Sequence, residues 1–298
     1  DTMQLLLNLL WLLPLGLTCQ DFHDSCAAWA KHGECEQNPA YMKVQCAMAC
    51  NSCDWFTSRC LSRESMQGIA ADVASRALRN AAGVAPGVRV LAEDPFVLAF
   101  DNFLNSKEIA AFKHYFAAAS LTRSQEGNQV TGRRTSTQMW CNSDECLGDR
   151  LIDGVHQRII NLTAVPKSHA EHFQLVQYDV GQFYQVHHDQ NSAPDTLAGV
   201  RLSTFFLYVQ TPEMGGATVF PDLGIKVEPV AGLALWWPNV HDDLGTDFRT
   251  RHEAQTVQQG VKWVANLWLH QYDFRGPYSN GCDMAKKISA STDAKSEL

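Results

Sequence analysis

Two hydrophobic rhythms divide the chain. From His172 onward apolar side chains gather in short runs, at 172–180, 183–189, 200–210, 217–220, 225–228, 233–237 and 261–269, with Gly- and Pro-containing breaks between them. Runs of that length, rich in Val, Phe, Tyr and Trp, predict strands, and their spacing predicts an antiparallel barrel or a two-sheet jelly roll. Upstream the period lengthens. Ile109, Phe112 and Phe116 fall on one face of a helix opened by the capping box Asn105-Ser-Lys-Glu108, and Ile152, Val155 and Ile159 fall on one face of a second helix over about 149–162. Strands at 88–91 and 96–100 precede the first helix. The expected class is α+β, a double-stranded β-helix (jelly roll) core with flanking helices.

The first 87 residues follow neither rhythm. Residues 4–17 are apolar but short, and Asn8 and Pro14 interrupt them, so a secretory signal over 1–18 fits better than a membrane span. The run lacks a basic flank and an initial Met, and a buried helix or an uncleaved anchor are the other readings. Six cysteines then fall between 19 and 53 with few aliphatic residues among them, a piece too small to fold on packing alone. Six cysteines allow fifteen pairings. The spacing, with Asp21, Trp29 and the run Asn38-Pro-Ala-Tyr-Met42, resembles the ShK-toxin-like module, which implies the pairs Cys19 with Cys53, Cys26 with Cys46 and Cys35 with Cys50. A zinc knuckle is the alternative, but His23 and His32 lack finger spacing. Residues 54–87 read as a linker with an Ala-rich helix over 66–82, ended by Gly83-Val-Ala-Pro-Gly87, and Cys60 has no evident partner there.

Composition narrows the classes. The chain has 298 residues, 45% of them hydrophobic, which is ample for one large domain plus a small one, and a net charge of −8 that argues against a nucleic-acid partner. Its ten cysteines are clustered, which points to an oxidising compartment. Cys141 and Cys146 could close a loop or stand as two free thiols. Asn161-Leu-Thr163 is a glycosylation sequon, and residues 276–298 form a tail ending Lys295-Ser-Glu-Leu298, a variant of the Lys-Asp-Glu-Leu retrieval signal. Signal and tail together lead to the expectation of a resident of the endoplasmic reticulum lumen, without membrane contact once the signal is removed.

Candidate chemistry begins at His187-His-Asp189. On a strand, residues two apart share a face, so His187 and Asp189 can hold one metal ion together. His252, in Thr250-Arg-His252, is the third candidate ligand. Two His and one carboxylate with open positions are the arrangement of non-haem Fe(II) oxygenases, and zinc hydrolysis is the rival use. Lys262 separates them. It sits in an otherwise apolar strand, where a buried cation needs an anion such as a dicarboxylate cosubstrate, unless the side chain lies at an edge and points to water.

The runs Gly181-Gln-Phe-Tyr-Gln-Val-His187-His-Asp189, Arg201-Leu-Ser-Thr-Phe-Phe-Leu-Tyr208, Gly215-Gly-Ala-Thr218-Val-Phe-Pro221, Thr250-Arg-His252 and Gly260-Val-Lys262-Trp resemble, in order and spacing, the 2-oxoglutarate- and Fe(II)-dependent prolyl 4-hydroxylases. The resemblance is nearest to the plant and algal type, which also carries a segment like Arg134-Thr-Ser136 and often an ShK-like module, and it covers about Phe96 to Phe274 of an expected catalytic domain at 88–275. It implies iron on His187, Asp189 and His252, Lys262 pairing the distal carboxylate of 2-oxoglutarate, and Tyr178, Thr218 and Trp268 around the same pocket. Arg201, Tyr184 and His270 fall where family members contact the peptide; equally, each can be a structural hydrogen bonder. His188 and His241 carry no implied role. The implied activity is hydroxylation of peptidyl proline at C4 in a proline-rich polypeptide, consuming 2-oxoglutarate and O2, releasing succinate and CO2, with L-ascorbate as auxiliary reductant. A related oxygenase acting on lysine or another substrate, and a non-catalytic lumenal binding protein, are the alternatives. The chain departs from the family pattern at Ala254-Gln-Thr-Val257, after the distal His.

Overall fold

The computed structural model describes residues 19–60, 67–82, 87–118, 120–126 and 129–284. The signal-like run and the Lys-Ser-Glu-Leu tail lie outside these residues. The chain divides into two compact units, one comprising residues up to 66 with 193–197 and 276 onward, the other 67–192 with 198–275.

In the first unit, short helices at Cys26–Lys31, Glu34–Gln37, Pro39–Gln45 and Cys53–Cys60 are tied by Cys19–Cys53, Cys26–Cys46 and Cys35–Cys50, the pairs the resemblance implies. Cys60 is bonded to Cys282, 222 residues away. Such a pair has no sequence signature, because nothing local marks two cysteines that distant as neighbours. Val44, Ala47, Phe56 and Leu197 pack around that bridge.

The second unit is built on an eight-stranded sheet in the spatial order Val88–Glu93, Phe96–Phe100, Ala234–Pro238, Arg201–Gln210, Lys262–His270, Gln174–Tyr178, Thr137–Trp140, Thr122–Arg123. A four-stranded sheet, Ile225–Val227, Thr218–Phe220, His252–Ala254 and Tyr184–His187, faces it. All the pairings are antiparallel. This is the α+β jelly roll the pattern implies. The period-2 alternation of the large sheet sorts its side chains between two cores. Phe205, Leu207, Ala265 and Leu267 face the helices Ser106–Ala118 and Arg150–Thr163, through Phe112, Phe116, Val155 and Ile159. Phe206, Tyr208, Val264 and Trp237 face the small sheet, through Phe220 and Ala254, with Val257 of a separate two-stranded pairing in the same core.

Both helix starts are capped as their sequences dictate. The Asn105 side chain accepts from the Lys107 and Glu108 amides while Glu108 accepts from the Asn105 amide, and Asp149 accepts from the Leu151 and Ile152 amides. Cys141 and Cys146 are bonded to each other.

The expected linker and its Ala-rich helix differ from what is observed. A helix spans Val73–Ala82, with Ala74 and Leu78 buried in the main core, so this segment belongs to the large unit. It begins later than its composition suggests because the Ile69 amide is drawn to the Gln271 carbonyl, fixing the preceding residues in a non-helical path. Among the described residues no helix is long and apolar enough to cross a membrane.

Candidate metal centre and cosubstrate pocket

The site lies between the two sheets, in a cavity of about 610 Å³ whose walls include Tyr178, Tyr184, His187, Asp189, Arg201, Thr218, His252 and Trp268. His187 ends the Tyr184–His187 strand and lies directly opposite His252 on the neighbouring strand. Asp189 follows just past the strand end. One ligand atom from each of His187, Asp189 and His252 lies within 4.8 Å of the others, the only such group among the described residues.

Surrounding bonds fix the direction of each ligand. His187 Nδ1 is 2.9 Å from the Gln185 carbonyl and His252 Nδ1 3.0 Å from the Thr250 carbonyl; a carbonyl only accepts, so both Nδ1 atoms donate. That leaves the Nε2 lone pairs free, 3.8 Å and 3.7 Å from the two carboxylate oxygens of Asp189. Thr204 donates to Asp189 Oδ2 at 2.7 Å and is itself held by Asn239 at 3.0 Å. Burial, with the neighbouring His252, holds the His187 imidazolium well below the ordinary range, so the ring is neutral. Burial pushes the Asp189 carboxyl up, but His252, His187 and Thr204 outweigh it and bring it down to about 2. Two imidazoles and one carboxylate, with Nε2 of each ring and the carboxylate oxygens close together, form the donor set that Fe(II) oxygenases use.

Lys262 is fully buried across the ladder from Tyr178, with its ammonium 5.3–5.8 Å from the ring centroids of Tyr178, Phe206 and Tyr208. It points inward, so the edge reading fails. Its hydrogen bond goes to the Gly216 carbonyl at 2.7 Å. Gly216 adopts φ +75°, and a Cβ there would come within 3.2 Å of the Lys262 side chain, so both backbone conformation and space demand glycine. Burial lowers the Lys262 ammonium to about 7, only partly opposed by Glu228. An anion delivered to it would restore the charge. Thr218 accepts from the Tyr208 hydroxyl at 2.7 Å.

The three residues aligned with peptide contact separate. The Tyr184 ring stacks on His187 at 3.5 Å and under the Arg134 guanidinium at 4.8 Å. Arg201 lies 3.9 Å over the Trp268 ring and donates to Glu171 at 2.7 Å. His270 does not line the cavity. The ladder shifts register between Leu269 and His270, and His270 is buried behind the wall, 2.7 Å from the same Glu171 carboxylate. Burial works to raise Glu171, yet Arg201 and His270 bring it down to about 2, a locked ion cluster. Sequence reading assigned nothing to Glu171 or to Gln174, which receives both Arg134 and Asn266 at 3.1 Å. Gln174 could have been flagged as an amide opening an apolar strand; Glu171 carries no such signal. His188 bonds to Asp247 and Thr250, and His241 pairs with Asp247.

Comparisons with known proteins agree with this geometry. Residues 173–270 match the 2OG-Fe(II) oxygenase superfamily and residues 18–53 the ShK domain-like family. The chain is 37% identical over 196 residues to prolyl 4-hydroxylase subunit alpha-2 of Caenorhabditis elegans and 34% identical over 199 residues to subunit alpha-1 of Mus musculus. Each match takes in 62% of this chain and 36% of the relative, so the chain spans little more than a third of the length of these curated relatives. Among solved structures, the viral collagen prolyl hydroxylase of Paramecium Bursaria Chlorella virus-1, in its 2OG complex, aligns with a TM-score of 0.47 and 24% identity, covering 58% of this chain and 95% of that one. The ligand set thus falls within the segment that matches the 2OG-Fe(II) oxygenase superfamily, and the three bridges at 19–53 within the segment that matches the ShK domain-like family.

Proposed function

We propose that this chain is a 2-oxoglutarate- and Fe(II)-dependent dioxygenase of the prolyl 4-hydroxylase type, hydroxylating peptidyl proline at C4 and releasing succinate and CO2. The observation that carries the reading is a three-ligand cluster on a cavity whose wall residues Tyr178 and Phe206 have their rings 5.3 and 5.8 Å from the buried Lys262 ammonium.

His187, Asp189 and His252 would hold the iron, which supplies activation of O2 coupled to decarboxylation of the 2-oxo acid. Lys262 takes the distal carboxylate of 2-oxoglutarate, a charge-assisted contact in a dry setting. Tyr178 and Thr218 bound that end of the cavity, and Trp268 walls its side. Thr204 and the two carbonyls facing the Nδ1 atoms keep the ligands in register. Tyr184 and Arg201 form the peptide side, where an extended polyproline II segment can lie over aromatic surface with little entropy lost. His270 acts from behind, by holding Glu171. L-Ascorbate belongs to the reading as the reductant for uncoupled turnovers.

The five disulfides fit an oxidising, secretory setting. Within it we place the protein in the endoplasmic reticulum lumen, with Asn161 glycosylated; Asn161 is exposed on its helix. The deciding experiment is succinate release with and without a proline-rich peptide. Release that rises severalfold with the peptide and yields 4-hydroxyproline supports the reading. Release stimulated only by lysine-containing peptides shifts the substrate, and no release under any peptide ends it.

A further inference from the structure

Thr204 shares a strand face with Phe206 and Tyr208, so its hydroxyl opens into the space between the two sheets, beside Asp189. Asn239 follows the end of the neighbouring strand Ala234–Pro238. Its backbone is already engaged, the amide donating to the Leu202 carbonyl at 2.8 Å and the carbonyl accepting from the Asp247 amide at 3.0 Å. The Asn239 side chain is not needed for that pairing. It turns inward to Thr204, and both residues are fully buried, with Asp189 nearly so.

The proton positions follow from the distances. Thr204 has one hydroxyl proton and two acceptors in reach, Asp189 Oδ2 at 2.7 Å and Asn239 Oδ1 at 3.4 Å, and the closer, charged one takes it. The Thr204 oxygen then accepts from Asn239 Nδ2–H at 3.0 Å. A directed chain results, from the Asn239 amide through the Thr204 hydroxyl to Asp189 Oδ2. Asp189 Oδ1 accepts no hydrogen bond among the described residues and lies 3.8 Å from His187 Nε2. The two carboxylate oxygens are therefore unequal, one engaged and one bare.

That inequality matters to a metal ion. A carboxylate binds through one oxygen or through both. A second oxygen closes one of the positions that two His and one carboxylate leave open. We propose that Asn239 is a positioning residue: by committing the Thr204 hydroxyl to Oδ2, it restricts Asp189 to a single metal-binding oxygen, Oδ1, and keeps the freed position for the cosubstrate. The proposal rests on the metal site of the proposed function. Without the Asn239 donor the Thr204 hydroxyl is free to turn to another staggered position, which releases Oδ2.

The test uses the full chain loaded with Mn(II) in place of iron and needs no turnover. Broadening of the Mn(II) electron paramagnetic resonance by isotopically labelled water counts the bound waters, and their displacement reads the 2-oxoglutarate affinity. Thr204→Val, which keeps the branched shape, and Asn239→Leu, which is close in shape, should each hold one water fewer than the parent and bind 2-oxoglutarate about tenfold or more weaker. Thr204→Ser keeps the hydroxyl and should match the parent. Should Asn239→Leu fail to fold, Asn239→Ala is measured instead. A parental water count in Thr204→Val or in the Asn239 variant overturns the proposal and leaves the metal site standing, as does a Thr204→Ser variant that behaves like Thr204→Val. If the parent binds no more Mn(II) than His187→Ala, the metal site falls and the proposal with it.

Discussion

Between Cys19 and Cys60 the chain buries few large side chains, chiefly Met42, Val44 and Phe56, and holds its short helices with three internal bridges. Between 88 and 275 a large sheet buries both faces in separate apolar cores and carries a single loop disulfide. The small region is kept folded mainly by restricting its unfolded chain, the large one by removing apolar surface from water. Chemistry is placed accordingly. A metal ligand set needs rigid strands around a desolvated cavity, which only the large region has the volume to supply.

The sharpest way to test that division is to remove a ligand. His187→Ala or His252→Ala should lower succinate release by more than about 100-fold, beyond the loss usual for residues that merely support a ligand, while leaving near-UV circular dichroism and the bridges intact. Activity within tenfold of the parent would move the chemistry away from this cluster.

Next in size, replacing Cys26 and Cys46 together by Ser should cost the small region about 2–5 kcal/mol. Hydrogen exchange should then lose protection over 19–53 and keep it over 88–275, with succinate release retained. Loss of protection in both regions at once would mean they are not held independently.

Lys262→Met should raise the 2-oxoglutarate requirement by about tenfold or more, since a charge-assisted bond of roughly 1.5–3 kcal/mol is removed. A change in the peptide requirement alone would place Lys262 elsewhere in the reaction.

The smallest expected effect is a slope with pH. Burial depresses the folded-state Lys262 to about 7 from 10.5, so between these values the unfolded chain binds more protons and stability without cosubstrate rises with pH. Below about 7 the cost of charging the buried ammonium is fully felt. Melting temperatures of the parent, compared with Lys262→Met, should therefore converge from pH 7 upward, and 2-oxoglutarate should remove the trend. Divergence over that range would contradict a buried, unpaired lysine.

Legibility from sequence followed the range over which each signal acts. Apolar strands such as Arg201–Gln210, and the capping box at Asn105, announce themselves locally, and so do the ligands, since His187 and Asp189 need only alternation. Strands of three residues, His252–Ala254 and Val257–Gln259, are too short for a period to show, and they exist because neighbours pair with them. The Glu171 cluster joins residues 30 and 99 positions apart, and nothing local in Glu171 or His270 marks them as partners. For the same reason nothing local decides between the two readings of His270, peptide contact or structural hydrogen bonder, since the register shift between Leu269 and His270 sets what it faces.

The bridge from Cys60 to Cys282 closes a covalent ring around everything between them. A protease that cuts once anywhere within that ring produces no separate fragments: on a non-reducing gel the nicked protein stays in one piece, and two bands appear only after reductant. A single cut is thereby a tolerable injury, because the severed halves remain tethered and refold at intramolecular concentration.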